Sequence, residues 1–167
     1  DDIDDDKKDI RVSFQSSNRS AESVSSSLHD PCACPTVLIV DDDSFNRLII
    51  TALLNLRGTT WDFAVNGKEA LNKIQERAKV TCCPSYSLII LDFEMPEMNG
   101  PQCAEELTLL ANAGKIPRQT IIGHTAYSSK EEIDVFLHAG AVDILPKPVH
   151  EADLADRLKR WTREESQ

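Results

Sequence analysis

Leu88-Ile89-Ile90-Leu91-Asp92 is a run of four apolar residues stopped by a carboxylate. Two other stretches have the same shape: Val37-Leu38-Ile39-Val40 stops at Asp41-Asp42, and Ile144-Leu145-Pro146 stops at Lys147. Short apolar runs bounded by turn residues read as strands buried on both faces, the kind found in parallel sheets. In open α/β sheets, ligands bind outside the carboxyl ends of the strands. The three runs therefore deliver three carboxylates and one ammonium to a single edge. Such an edge is a place to hold a divalent cation and a phosphoryl group.

Working outward from these runs, strand and helix alternate. The first strand covers 37–41. Ser44 stands where a cap belongs, and Phe45, Leu48, Ile49, Ala52, Leu53 and Leu56 then recur at helical spacing until Gly58 closes the helix. A weaker strand spans 60–65. Asn66 caps a helix running from Gly67 to about Lys79, and residues 87–92 form the third strand. The loop 93–100 carries Met95 and Met98, which read as packing residues. A helix opened by Pro101 runs to about Ala113. A fourth strand spans 120–124, and a helix capped by Ser128 or Ser129 ends at Gly140. A fifth strand covers 142–145, and a last helix runs from Glu151 to about Arg163. Five strands alternating with five helices predict an α/β domain. It is a flavodoxin-like (βα)5 doubly wound sheet, with five parallel strands in the order 2-1-3-4-5 and helices on both faces. Its switch point lies between strands one and three, whose ends carry Asp41-Asp42 and Asp92.

Residues 1–35 have a different character. Six of the first nine are Asp, and a Ser-rich stretch follows up to Ser25-Ser26-Ser27. Such composition buries too little apolar surface to offset chain entropy, so 1–35 is expected to be a disordered linker and 36–165 the folded domain. The 167 residues carry a net charge of −10. This argues against nucleic acid and against direct contact with anionic membrane, because both need Lys and Arg to displace counterions. No apolar run approaches transmembrane length. Five cysteines fall as Cys32-x-Cys34, Cys82-Cys83 and a lone Cys103. The paired clusters could ligate zinc, but their spacings are not the usual C-x2-C knuckles, so the reading is free thiols in a reducing compartment.

The motifs resemble the receiver domain of two-component response regulators. The matching pieces are Val40-Asp41-Asp42-Asp43, Leu91-Asp92-Phe93-Glu94-Met95-Pro96-Glu97-Met98-Asn99-Gly100, His124-Thr125-Ala126, and Ala139-Gly140-Ala141 running on to Lys147-Pro148. They come in order over about residues 37–163. Asn46-Arg47 and the Met-Pro-x-Met-Asn-Gly loop are most similar to receivers attached to hybrid histidine kinases.

The resemblance implies roles. Asp92 would be the phosphoacceptor, taking a phosphoryl group from phosphohistidine in a phosphorelay. Mg2+ (or Mn2+) would be held by Asp42, Asp92 and the backbone carbonyl of Glu94, with Asp41 acting mostly through water. Lys147 would pair with Asp92 and then with the phosphoryl group, beside a cis Lys147-Pro148 bond. Thr125 would donate its hydroxyl. Glu94 is a variable position expected to influence how water reaches the acyl phosphate. Ile144 stands where the family carries a switching aromatic ring, a departure that fits a relay better than a ring-driven output. His29, His124, His138 and His150 read as core, edge or surface residues. The partner, a histidine kinase or a histidine phosphotransfer protein, is expected to dock near Phe45, Asn46, Ile49, Pro146 and Pro148.

A cytoplasmic segment is expected, whether or not a parent chain is membrane-anchored. The start at Asp rather than Met, together with the linker, favours a piece of a hybrid kinase over a stand-alone receiver. The competing reading is a Mg2+-dependent phosphohydrolase with an Asp nucleophile. Haloacid dehalogenase-like enzymes normally place D-x-D after the first strand, whereas Asp92 ends the third. A receiver would be modified once per chain and release phosphate slowly, rather than turn over as an enzyme.

Overall fold

The computed structural model describes residues 32–126 and 129–162. Most of the expected linker 1–35, the alternative cap Ser128 and residues 163–165 of the expected domain lie outside the described residues. Five parallel strands form one sheet: β1 (Val37–Val40), β2 (Trp61–Ala64), β3 (Leu88–Asp92), β4 (Ile121–Thr125) and β5 (Asp143–Pro146). Their order is β2-β1-β3-β4-β5, as the alternation of elements predicts. The helices are α1 (Ser44–Leu56), α2 (Gly67–Arg77), α3 (Gly100–Asn112), α4 (Lys130–Ala139) and α5 (Glu151–Trp161).

Successive side chains of a strand point to opposite faces, so a sheet covered on both sides needs apolar residues at every position. β1 meets that demand throughout, and β3 meets it up to Asp92. Leu38 and Val40 join Ile89, Ile74, Leu107 and Phe136 on the side covered by α2, α3 and α4. Val37 and Ile39 join Ile50, Leu54, Leu154 and Leu158 on the side covered by α1 and α5. Each such side chain contributes roughly 1.5–3 kcal/mol on burial. Met95 is buried and Met98 packs against the first of these clusters, as packing residues should.

One local expectation needs correction. Ser44 opens α1 rather than capping it. The cap is Asp43, whose carboxylate accepts the Phe45 N–H at 2.7 Å. A negative charge there also meets the positive end of the helix dipole. Of the apolar residues of α1, one set meets the sheet and another faces outward. Ile50, Thr51 and Leu54 are buried, while Phe45, Leu48 and Leu56 are 65%, 64% and 76% exposed. The apolar spacing read from the sequence thus traces mainly the outer face of the helix. With apolar residues on both sides, spacing alone does not choose which one meets the sheet.

Two of the five cysteines depart from the reading as free thiols, while Cys32, Cys82 and Cys103 keep theirs. Cys34 and Cys83 are in disulfide contact, and the sulfurs of Cys32 and Cys82 lie beside them. The reason is topological. Cys32 and Cys34 lead into β1, Cys82 and Cys83 lead into β3, and those strands are neighbours, with Ser87 N–H donating to the Thr36 carbonyl at 2.8 Å.

Candidate functional site

Strand ends build the site. β1 finishes at Val40, and Asp41 follows it, buried, still donating its N–H to the Ala64 carbonyl of β2 at 3.2 Å. The Asp43 N–H donates to Asp41 Oδ1 at 2.8 Å, and the Arg47 guanidinium donates to the Asp41 carbonyl at 2.8 Å. This folds Asp42 outward over the sheet edge, where it is exposed. Asp92 is the buried last residue of β3. One carboxylate oxygen from each of Asp41, Asp42 and Asp92 falls within 4.8 Å of the others.

Lys147 follows β5, and its N–H donates to the Thr125 carbonyl at the end of β4 at 2.8 Å. That contact carries its side chain back over the edge. Lys147 Nζ donates to Asp92 Oδ1 at 2.6 Å and lies 3.5 Å from Asp41 Oδ2. The Lys147-Pro148 bond is cis. Thr125 is buried as the last residue of β4. The loop after β3 is closed by the Gly100 N–H on the Phe93 carbonyl at 2.8 Å, leaving Glu94 exposed at the mouth. Asp42, Asp43, Asn46, Asp92, Glu94 and Lys147 are among the residues lining an open cleft of ≈ 670 Å³.

Three carboxylates face one ammonium here, and the titration of the groups reflects it. Burial pushes Asp92 up to about 6, with Lys147 pulling it down and the charges of Asp41 and Asp42 adding to the rise. Asp41 is likewise held above its ordinary range by burial, in spite of the Asp43 N–H and Lys147. Burial works against the charge on Lys147, but the hydrogen bond and charge of Asp92, together with Asp41, hold its proton more tightly than usual. Asp41 Oδ2 is buried without a hydrogen-bond partner. An orphaned carboxylate oxygen within a cluster of like charges suits a hard cation with oxygen ligands.

The sequence brings Asp41, Asp42, Asp92, Glu94, Thr125 and Lys147 to one edge, and the structure assembles them there. Two neighbours of the site were not assigned to it. His124 pairs with Asp92 in register and sits buried with Nδ1 3.9 Å from Asp41 Oδ2. Burial lowers it to about 3, with Lys147 acting in the same direction, so it is neutral at pH 7 and makes no ion pair. Its place directly before Thr125, at the carboxyl end of a strand, was the available signal. Asn46, read only as a partner contact, lines the cleft beside Asp42.

Residues 37–159 match the response regulator receiver domain. The chain belongs to that family. Hybrid signal transduction histidine kinase L of Dictyostelium discoideum is 30% identical over 150 residues, 90% of this chain and 8% of the kinase. Two-component response regulator 24 of Arabidopsis thaliana is 36% identical over 115 residues, 68% of this chain and 74% of that protein. Among solved structures, the receiver domain of a sensor histidine kinase from Pseudomonas aeruginosa has a magnesium ion coordinated in its active site cleft. It superposes with a TM-score of 0.60 at 25% identity, covering 77% of this chain and 98% of the other. The receiver spans between 8% and 13% of the length of the first curated relatives it matches. Among the described residues, no helix is long and apolar enough to cross a membrane.

Proposed function

We propose that this receiver accepts a phosphoryl group on Asp92 from the phosphohistidine of a kinase or histidine phosphotransfer protein, in a Mg2+-dependent step of a phosphorelay. The observation that carries this reading is the convergence of Asp41, Asp42 and Asp92 with Lys147 Nζ 2.6 Å from Asp92 Oδ1. Asp41, Asp42, Asp92 and the backbone carbonyl of Glu94 would hold the dication, which supplies charge neutralisation for the transferring phosphoryl oxygens. Asp92, its carboxyl near 6, is mostly ionised at pH 7 and ready to attack. Its oxygen forms the bond to phosphorus as the phosphorus–nitrogen bond of the donor breaks, and the electron pair stays on the imidazole. Lys147 shifts its hydrogen bond from the carboxylate to a phosphoryl oxygen, and Thr125 donates its hydroxyl to another. Little covalent chemistry is asked of the protein beyond this positioning.

The same reading extends to the rest of the chain. Residues 36–165 form the receiver, and 1–35 form a linker within a larger signalling protein whose phosphoryl donors place this segment in the cytoplasm. Partner docking falls on α1 and the loop after β5. Phe45 and Leu48 are exposed apolar residues beside a polar cleft, Ile49 is half buried, and Pro146 and Pro148 are exposed. Ile144 packs half buried against the core near Gly123 and offers no ring to switch, which suits a relay that passes phosphate onward.

A phosphohydrolase with Asp92 as nucleophile would call for an Asp two residues on as general acid, and Glu94 stands there instead.

The deciding experiment is intact-mass measurement after incubation with acetyl phosphate and Mg2+. Wild type should gain one species heavier by about 80 Da, a single phosphoryl group, and Asp92→Asn should gain none. Wild type that stays unmodified with every phosphodonor would refute the reading. Many phosphate esters cleaved per chain would replace it with an enzyme.

A further inference from the structure

The geometry points to a second metal centre: we propose that Cys32, Cys34, Cys82 and Cys83 bind one zinc ion as a closed four-thiolate site, tying the segment before β1 to the loop before β3. All four sulfurs lie within 4.8 Å of one another. Cys32 Sγ is 2.8 Å from Cys34, 2.7 Å from Cys82 and 2.8 Å from Cys83. Cys82 Sγ is 3.4 Å from Cys83 and 4.0 Å from Cys34. This is one cluster with a common centre, not two separated pairs. Cys103, the odd cysteine, is buried elsewhere, with its thiol 3.9 Å from the Gly67 carbonyl.

A disulfide between Cys34 and Cys83 joins residues whose Cα atoms are 6.8 Å apart, at the outer edge of the range such bridges span. It also leaves Cys32 and Cys82 in contact with each other and with the bridge, and so does not account for four sulfurs at one point. A tetrahedral zinc site does. With Zn–S near 2.3 Å, ligand sulfurs stand about 3.8 Å apart, so the pairs at 2.7–2.8 Å open by about 1 Å on binding, and the Cys34–Cys83 pair opens further. Cys32 and Cys82 are exposed, which gives the ion a way in, and Cys34 and Cys83 are half buried. Four soft thiolates leave no open position, so the site is structural rather than catalytic. The side chains are synthesised as thiols, and the ion replaces their protons, which pass to solvent. No redox step is involved.

Arg77 supports this assignment. It is buried at the end of α2, and its Nε donates to the Cys83 carbonyl at 2.6 Å while a terminal nitrogen donates to the Pro35 carbonyl at 2.7 Å. One guanidinium thus clasps both cysteine-bearing segments, stacked over the Tyr86 ring at 4.6 Å. Four thiolates around a dication carry net negative charge, and a fixed cation beside them offsets it. Uncharged disulfides would have no such need. The link also closes a loop of 49 residues between Cys34 and Cys83, and cross-links over long loops restrict the unfolded chain most.

The test uses the full chain purified under reducing conditions without chelator. Elemental analysis should return one zinc per chain, unchanged in Cys103→Ser and reduced at least tenfold in Cys34→Ser and in Cys83→Ser. Because those variants remove half-buried groups and can unfold, wild type is also reconstituted with Co2+. Intense thiolate-to-cobalt charge-transfer absorption at one equivalent supports the site independently. A chain that is metal-free, binds no Co2+ and is two or four protons lighter by intact mass carries disulfides instead, and the proposal fails. It fails equally if all four thiols are free and Co2+ gives only the spectrum of the aqueous ion.

Discussion

β1 and β3 are neighbours, and each has two chemically opposite ends. Their carboxyl ends present Asp41, Asp42 and Asp92, hard oxygen ligands, of which burial, helped by the charges of its two neighbours, raises Asp92 to about 6. Their amino ends are preceded by Cys32, Cys34, Cys82 and Cys83, soft sulfur ligands gathered at one point. The first pole keeps an open cleft, so a partner and a phosphoryl group can enter. The second offers four protein ligands and no vacant position. One pair of parallel strands thus positions two sites, and openness separates a reacting site from a fastening.

The sharpest way to break this contrast is to remove charge from the crowded pole. The carboxyl of Asp92 titrates from 3.8 as a free group and near 6 in the fold. Between those values the native state binds more protons than the unfolded chain, so stability falls as pH rises through the window. Above it the cost is fully present, on the order of 3 kcal/mol at 1.36 kcal/mol per pH unit. Asp92→Asn is therefore expected to be more stable than wild type at pH 7.5 in metal-free buffer, with the gap closing as pH falls toward 4. Added Mg2+ should narrow it from the wild-type side. Urea unfolding at both pH values measures it. A variant no more stable than wild type at pH 7.5 would mean that Lys147 already compensates the pole.

The two poles also differ in how far the sequence reveals them. At the carboxyl ends, the chemistry is contiguous with the strand that positions it. Asp92 follows Ile90-Leu91 directly, so finding the strand finds the site, and the order 2-1-3-4-5 follows from alternation of strand and helix. At the amino ends, the cysteines sit in connecting segments, and neither spacing contains a recognisable ligand pattern. Only the pairing of Val37 with Leu88 brings them together, and pairing register is a property of the assembled sheet. The nearness of His124 to the acidic cluster was hidden for a related reason. Its proximity to Asp41 depends on lateral packing across β1, β3 and β4, while its sequence context is that of a core strand. On α1, Phe45 was legible as an outward partner contact, but the burial of Ile50 and Leu54 was not, because packing against the sheet decides it.

A smaller effect comes from the loop that shapes the open pole. An added Cβ at Gly100 would strike the Asp92 carbonyl and sit 2.7 Å from Phe136 Cζ. The first obstacle is backbone of the phosphoacceptor itself and cannot swing aside. Gly100→Ala is expected to cost about 1–3 kcal/mol and to slow Asp92 phosphorylation by displacing its strand end. Thermal unfolding and the acetyl phosphate reaction report the two parts. A loss of stability with no loss of rate would show that the loop can shift without moving Asp92.

The smallest effect is expected where the two poles meet only through the strands between them. β1 is four residues long, and at about 3.3 Å per residue this alone separates the poles by roughly 13 Å. Perturbations more than 7–10 Å apart with no shared partner add independently. Cys32→Ser, at an exposed ligand position, should lower the unfolding temperature and zinc content yet leave the rate of Asp92 phosphorylation within about twofold at saturating Mg2+. The comparison is made at a temperature where both proteins are folded, so the rate reads geometry at the carboxyl ends rather than the folded fraction. A tenfold change would show that β1 and β3 transmit strain along their length, and the amino-end fastening would then be part of the phosphoryl site's own positioning.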